Sequence, residues 1–211
     1  MFDIVNEYFE NELFYDGNLI LKYRIDYPQI AHNWCNTYKF NYYNQKIALA
    51  LKNYIESSLF QDAKNTYEFN KANNYPIMVY EAIYTYTITY NQDNIISLYS
   101  DQYIYSGGAH GLTTRKSQNW NMQCGREILL NDVYENNPYF MLNILKSING
   151  QIENEIQNGT NQYFDNYCKL VLETFSPKQF YIVSNSEIII FYQQYDIAPY
   201  SSGIPTFSIS Y

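Results

Sequence analysis

Hydrophobic and polar positions change their period several times along the chain, and each change marks an element. In "NLILKYRIDYP", 18–28, β-branched and aromatic residues crowd together up to Pro28, which predicts a strand that halts there. Residues 29–38 carry no clear period. From Phe40 the interval lengthens: Tyr43, Ile47, Ala50, Leu51, Tyr54, Ile55 and Leu59 recur at helical spacing and make one face of a long helix, with Lys46, Lys52 and Glu56 turned to water. A period of two then sets in. Within "VYEAIYTYTITY", 79–90, Tyr80, Ala82, Tyr84, Tyr86, Ile88 and Tyr90 share one side of a strand, while Glu81 and the threonines share the other. The polar link "NQDN", 91–94, and a second apolar run to Tyr105 complete an antiparallel hairpin. A third strand spans Gly111 to Met122, beyond the "SGGAH" connection.

The second half repeats the alternation of helix and strands. Asn137 is placed to cap a helix with Pro138 at its first position, and Gly159 ends it. Met141, Leu145, Ile148, Ile152 and Ile156 form its apolar stripe. Gly150 costs about 1 kcal/mol of helix propensity and suggests a close approach by another element. "NGT", 158–160, has the form of a glycosylation sequon and reads as the helix stop. "FYIV" (180–183) and "EIIIFY" (187–192) make a hairpin, and "IPTFSISY" a closing strand. The order implies an α+β fold with antiparallel sheets, each packed against a long helix, because parallel units would need helices between most strands. A chain of 211 residues has room for two intimately associated subdomains.

Composition narrows the function. The 26 tyrosines supply large apolar rings with a polar tip, suited to cores and recognition surfaces alike, although Tyr, Asn and Ile are also what AT-rich codons favour. With 13 basic against 21 acidic residues the net charge is -8, which repels phosphate backbones and excludes nucleic acid as a partner. Cys35, Cys124 and Cys168 contain no CxxC pair, so neither a zinc cluster nor a disulfide framework is expected, and at most one internal bridge can form. "MFDIVNEYFENELFYDG" is acidic and lacks an unbroken apolar run, so neither a secretory signal nor a transmembrane segment is expected in this sequence. The compartment stays open between the cytoplasm and the envelope, the latter requiring a signal or anchor outside this sequence.

Two stretches stand out chemically. In "YSGGAHG", 105–111, Gly107 and Gly108 permit positive φ and a sharp reversal, and Gly111 lets another backbone approach. Such a loop can set His110 beside Ser106 as a base–hydroxyl pair, or hold amides toward an anion. A GxSxG elbow and an HExxH pair are both absent, and His32 is distant in sequence, so no metal and no cofactor are expected. A catalytic role for His110 and Ser106, with Asp101, Asp132 or Asp196 nearby, is therefore the alternative. The favoured role for His110 is hydrogen bonding of its loop to neighbouring strands. In "FYQQYDIAPYSSGIP", 191–205, Pro199, Gly203 and Pro205 stiffen a loop carrying Tyr192, Tyr195 and Tyr200, rings that can either anchor a partner or pack under the sheet.

Together "YSGGAHG", "ILLNDVY" (128–134) and "YDIAPYSSGIP" (195–205) resemble the DUF3298 / RsiV C-terminal-like domain family, and the strand and helix before them are similar to a PdaC N-terminal-like (DUF4163) region. The resemblance implies a division into residues 1–78 and 79–211. It also implies a non-catalytic binding or sensing domain at the envelope of a Gram-positive type bacterium, recognising a lysozyme-like basic protein or peptidoglycan-related glycan. Ser106, Gly107, Gly108 and His110, with Tyr195, Asp196, Pro199 and Tyr200, are the ligand-binding positions it suggests. The alternative is a hydrolase or deacetylase using His110 with a nearby Asp.

Overall fold

Strand β1 (Ile4–Tyr15) turns back at Asp16 and Gly17, both at positive φ, into β2 (Asn18–Ile30). The opening strand escapes sequence pattern because it lies at the edge of its sheet. Phe9 and Leu13 are only half-buried, and Glu7 and Asn11 share their face. Strand β2 does not halt at Pro28 but runs on to Ile30. Pro28 is opposite Asn6 of β1 and lies beyond Ile25, the last β2 residue paired with the next strand, so its missing N–H interrupts no bond there. The model is a computed structural model and describes residues 1–32, 36–134, 137–160 and 162–211.

The long helix forms, but with another phase. Helix α1 (Thr37–Tyr54) passes through a π-helical turn (Ile55–Leu59) into α2 (Phe60–Ala72). The buried positions are Thr37, Phe40, Asn44, Ala48, Leu51, Ile55, Leu59, Ala63, Tyr67 and Asn70, while Tyr43 and Tyr54 are exposed. Asn44 can take the inner face because its side-chain amide donates to the Phe40 carbonyl at 2.9 Å. In an ideal α-helix a strict four-residue spacing drifts around the axis; the wider π turn lets Leu51 through Tyr67 stay against the sheet.

Strand β3 (Tyr80–Gln92) lies parallel to β2, with Leu21 opposite Tyr80 and Ile25 opposite Tyr84. A helical crossover between them makes this parallel pairing possible. Asp93 and Asn94, both left-handed, close the hairpin to β4 (Ile95–Tyr105). Next come β5 (Leu112–Asn121) and the short β6 (Arg126–Glu127), giving a sheet of order β1-β2-β3-β4-β5-β6. After α3 (Leu130–Val133), α4 (Phe140–Gln157) and α5 (Tyr167–Thr174), strands β7 (Phe180–Ser184), β8 (Glu187–Phe191) and β9 (Thr206–Ser210) form a second, antiparallel sheet.

Helix α4 begins two residues after Pro138, and Asn137 instead accepts the Tyr139 N–H at 3.0 Å. Its buried stripe is Ile144, Ile148 and Ile152, with Ile156 exposed. It ends in a Schellman closure, Gly159 donating to Ile156 and Thr160 to Glu155. A Cβ at Gly150 would meet nothing within 4 Å, so close packing is not what that glycine provides.

The chain divides into two compact units. One comprises Met1–Tyr86 and Ser100–Thr113, the other Thr87–Tyr99 and Thr114–Tyr211. The core of the first is built from Ile20, Leu21, Ile25, Leu51, Ile55, Leu59 and Tyr80. That of the second gathers Ile144, Ile148 and Ile152 of α4 with Ile188, Ile190, Tyr192 and Phe207. Within the second unit β7 is an edge strand whose outward backbone groups are met by side chains. Ile182 N–H donates to the Ser97 hydroxyl at 2.8 Å, Asn119 donates to the Phe180 carbonyl at 3.0 Å, and Thr89 donates to the Ile182 carbonyl at 2.7 Å.

Candidate functional site

The glycine-rich loop lies in the first unit, leaving β4 at Tyr105. Gly107 has φ 108° and Gly108 φ 86°, conformations that disfavour a side chain. A Cβ at Gly107 would stand 2.8 Å from the Met78 sulfur. At Gly111 it would stand 2.5 Å from the Tyr103 ring and 2.6 Å from the Ile104 carbonyl oxygen, which leaves room only for hydrogen. The Tyr105 hydroxyl donates back to the Gly108 carbonyl at 3.2 Å. These contacts make the loop a rigid reversal.

Ser106 and His110 are exposed on it. The His110 ring approaches the Gly111 carbonyl through Nδ1 at 3.1 Å; because a carbonyl only accepts, Nδ1 carries the proton in this bond. The ring is exposed, and this bond closes within its own loop. His32, two residues past the end of β2, is exposed as well. Two of the three carboxylates considered as catalytic partners of His110 have local duties. Asp132 accepts the Leu129 N–H at 3.0 Å, and Asp196 accepts the Gln193 N–H at 2.8 Å.

The tyrosine-bearing segment belongs to the second unit. Its apolar residues are interior: Tyr192, Ile197 and Ala198 are buried, and the Tyr192 hydroxyl donates to the Val171 carbonyl at 3.1 Å. Burial pushes the Asp196 carboxyl up from its usual range, against the Gln193 N–H that favours its charged form. Pro199 leads into a single 3-10 turn (Tyr200–Ser202), whose Ser202 hydroxyl donates to the Gln162 carbonyl at 2.8 Å. Tyr195 sits at φ 69° and is 49 % exposed, and its ring centroid lies 6.0 Å from that of half-buried Tyr200. An L-residue with a large side chain held in the left-handed region is strained by its surroundings, and such strain concentrates at functional positions.

One residue escaped the sequence reading altogether. Gln193 accepts the Arg115 N–H at 2.9 Å and donates to the Arg115 carbonyl at 2.7 Å, so its amide clips the segment to β5 as a peptide group would. Arg115 in turn stacks its guanidinium 3.8 Å above the Tyr99 ring. A neutral glutamine in a polar break carries no periodicity or charge signal that would have marked it.

Cys124 and Cys168 are free and exposed; Cys35 lies outside the described residues. Among the described residues no three His, Cys, Asp or Glu side chains gather as a metal site would require, and no helix is long and apolar enough to cross a membrane.

Comparison with known proteins follows the two motifs. Residues 16–113 match the family described as Deacetylase PdaC, and residues 131–211 match DUF3298, a protein family of unknown function. A crystal structure of a DUF3298 family member from Bacteroides fragilis NCTC 9343 is similar with a TM-score of 0.73 at 16 % identity, over 100 % of this chain and 90 % of that one. A DUF3298 family protein from Pseudomonas aeruginosa PAO1 is similar with a TM-score of 0.64 at 15 % identity, over 99 % and 91 %. No curated protein matches the sequence significantly.

Proposed function

From a chain that carries a PdaC-type region followed by a DUF3298 domain, we propose a non-catalytic binding or sensing module of the bacterial cell envelope, whose ligand is a basic, lysozyme-like protein or peptidoglycan-related material. The observation that supports it is the Tyr195–Tyr200 pair: two rings on a stiff turn, one half exposed and strained into place, offering contact area with little entropy left to lose. The acidic balance of the chain adds long-range attraction for a basic partner. Ser106, Gly107, Gly108 and His110 offer a second rigid surface, and Asp196 and Pro199 hold the tyrosines in place.

The competing reading is a hydrolase or deacetylase that uses His110 and Ser106 with a nearby Asp. It draws on the name of the first matched family. Asp132 and Asp196 already cap turns of their own segments, and the imidazole engages its own loop, so this arrangement supports it no better than binding.

Isothermal calorimetry with a basic lysozyme and with soluble peptidoglycan fragments tests the proposal. Saturable binding that weakens about tenfold or more in the double substitution Tyr195→Ala, Tyr200→Ala is expected, in line with a buried aromatic anchor. Failure of both ligands to bind removes it. Turnover of an acetylated glycan that disappears in folded His110→Ala would replace it with the catalytic reading.

A further inference from the structure

Strand β1 (Ile4–Tyr15) is an edge of its sheet, and among the described residues β2 is its one pairing partner. Which of its backbone groups stay open follows from two contacts. The Asp3 carbonyl accepts the Ala31 N–H at 3.0 Å, so by antiparallel alternation Val5, Glu7 and Phe9 direct their N–H and carbonyl groups at β2. Ile4, Asn6, Tyr8 and Glu10 direct theirs outward. Ile30, opposite Ile4, fits this phase: its N–H donates to the Asn41 side chain at 2.8 Å and its carbonyl accepts from it at 3.1 Å, so its backbone is turned away from β1. Farther along the edge closes on itself, since Asn11 accepts the Glu12 N–H at 2.9 Å and the pairing with β2 slips between Leu13 and Phe14. Residues 4–10 therefore carry a row of donors and acceptors at strand spacing, which another extended backbone would match group for group.

Side chains decide which extended backbone fits. From Ile4 to Tyr15 the strand holds three glutamates and no lysine or arginine. Glu10 and Glu12 line a groove of about 630 Å³ together with Lys22, Arg24, Glu81 and Ile83. Arg24 is engaged by Glu10 at 2.8 Å and Asp26 at 2.9 Å, and Lys22, opposite Glu12, by Glu81 at 2.8 Å. Both cations of the groove are thus committed, and Glu12 is a carboxylate with no ion pair among the described residues. The other face of β1 presents exposed Val5 and half-buried Phe9, with Glu7 between them.

A strand added to this edge sets its alternate side chains on these two faces, directly across from those of β1. On the groove face they meet carboxylates, which calls for lysine or arginine. On the other they meet Val5 and Phe9, which calls for apolar residues. A second copy of β1 would bring three more glutamates and no cation to the seam, so the charges that guard the edge against self-association are the ones that admit a basic strand. We propose that residues 4–10 receive, by strand addition, an extended segment of a partner protein with lysine or arginine at alternate positions and apolar residues between them. The tyrosine pair and the glycine-rich loop take no part in this surface.

The probe is a labelled peptide of alternating lysine and valine, as long as β1, titrated into the whole chain by fluorescence anisotropy beside a counterpart with glutamate in place of lysine. Saturable binding of the lysine peptide is expected, at least about tenfold tighter than that of its counterpart at low salt. Hydrogen exchange followed by NMR should slow at the Asn6, Tyr8 and Glu10 amides and stay unchanged at Val5, Glu7 and Phe9, which already bond to β2. Glu12→Lys should weaken the lysine peptide about fivefold. Tyr8→Pro takes one outward donor from the middle of the row at a position where an edge tolerates proline, and should weaken it about as much; Glu12→Lys carries the test if that variant does not fold. Equal binding of the two peptides overturns the proposal. So does lysine-peptide binding that leaves exchange at the three outward amides unaltered, which would be adsorption by charge alone. Slowing of those amides with rising protein concentration and no peptide would assign the edge to a second copy and overturn it too. Binding should persist in Tyr195→Ala, Tyr200→Ala; its loss there would move the site to the tyrosine pair and refute the assignment to β1.

Discussion

At the scale of single residues the cost of conformation and the purpose of a side chain can be separated. Tyr195 holds φ 69°, a backbone setting that costs an ordinary L-residue about 1 kcal/mol and glycine almost nothing. Tyr195→Gly is therefore expected to be about 1 kcal/mol more stable than Tyr195→Ala in urea unfolding, while both lose partner binding equally. A stability order reversed from this would show that the ring, not the strain, dominates the position. Gly111→Ala should cost about 2 kcal/mol, because the new methyl would collide with Tyr103 and the Ile104 carbonyl. The need for glycine at 107, 108 and 111 was legible in the sequence, since few residues tolerate such backbone. The outward face of His110 was not, because a lone histidine gives no sign of which of its sides meets water.

Elements show where periodicity suffices and where it misleads. Strands β3, β4, β7 and β8 lie where alternation or apolar runs predict them, and the long helix exists. Its phase did not follow from hydrophobicity, because tyrosines face outward and Asn44 inward, satisfied by the helix's own backbone. Strand β1 was hidden by the glutamates of an edge, and α5 by its short length. For α4, Gly150→Ala adds a methyl into open space and should stabilise the protein by about 0.5–1 kcal/mol, readable as a higher midpoint in denaturant. For β7, Asn119→Ala strands the Phe180 carbonyl in the interior. A loss of about 3 kcal/mol is expected, with the Ser97 hydroxyl also deprived of its acceptor.

For the whole molecule, acid should act unevenly on the two units. In the first, the Lys71 ammonium and the Tyr67 hydroxyl hold Asp16 below its ordinary 3.8. Burial would raise Asp26 and Glu56, but Arg24 and Asn6 overturn it at the former and Tyr23 and Lys52 at the latter, so both also end below 3.8 and 4.5. A carboxyl depressed on folding contributes stability that is present above its unfolded value and lost as pH falls through the folded one. Asp196, in the second unit, has the opposite sign: burial raises it, so the cost of its charge is present at neutral pH and relieved by acid. Hydrogen exchange at neutral pH and below about pH 4 is expected to show protection falling first in the unit of β1 and β2. Glu56→Gln should flatten that loss. A uniform loss across both units would contradict the assignment.

The glutamine clip at Gln193 has a further consequence. It fastens the tyrosine segment to β5 with an amide that has no proton to lose and no charge for dissolved ions to shield. This part of the mounting therefore holds as firmly in brine as in fresh water, and any sensitivity to salt when a partner docks there originates outside it.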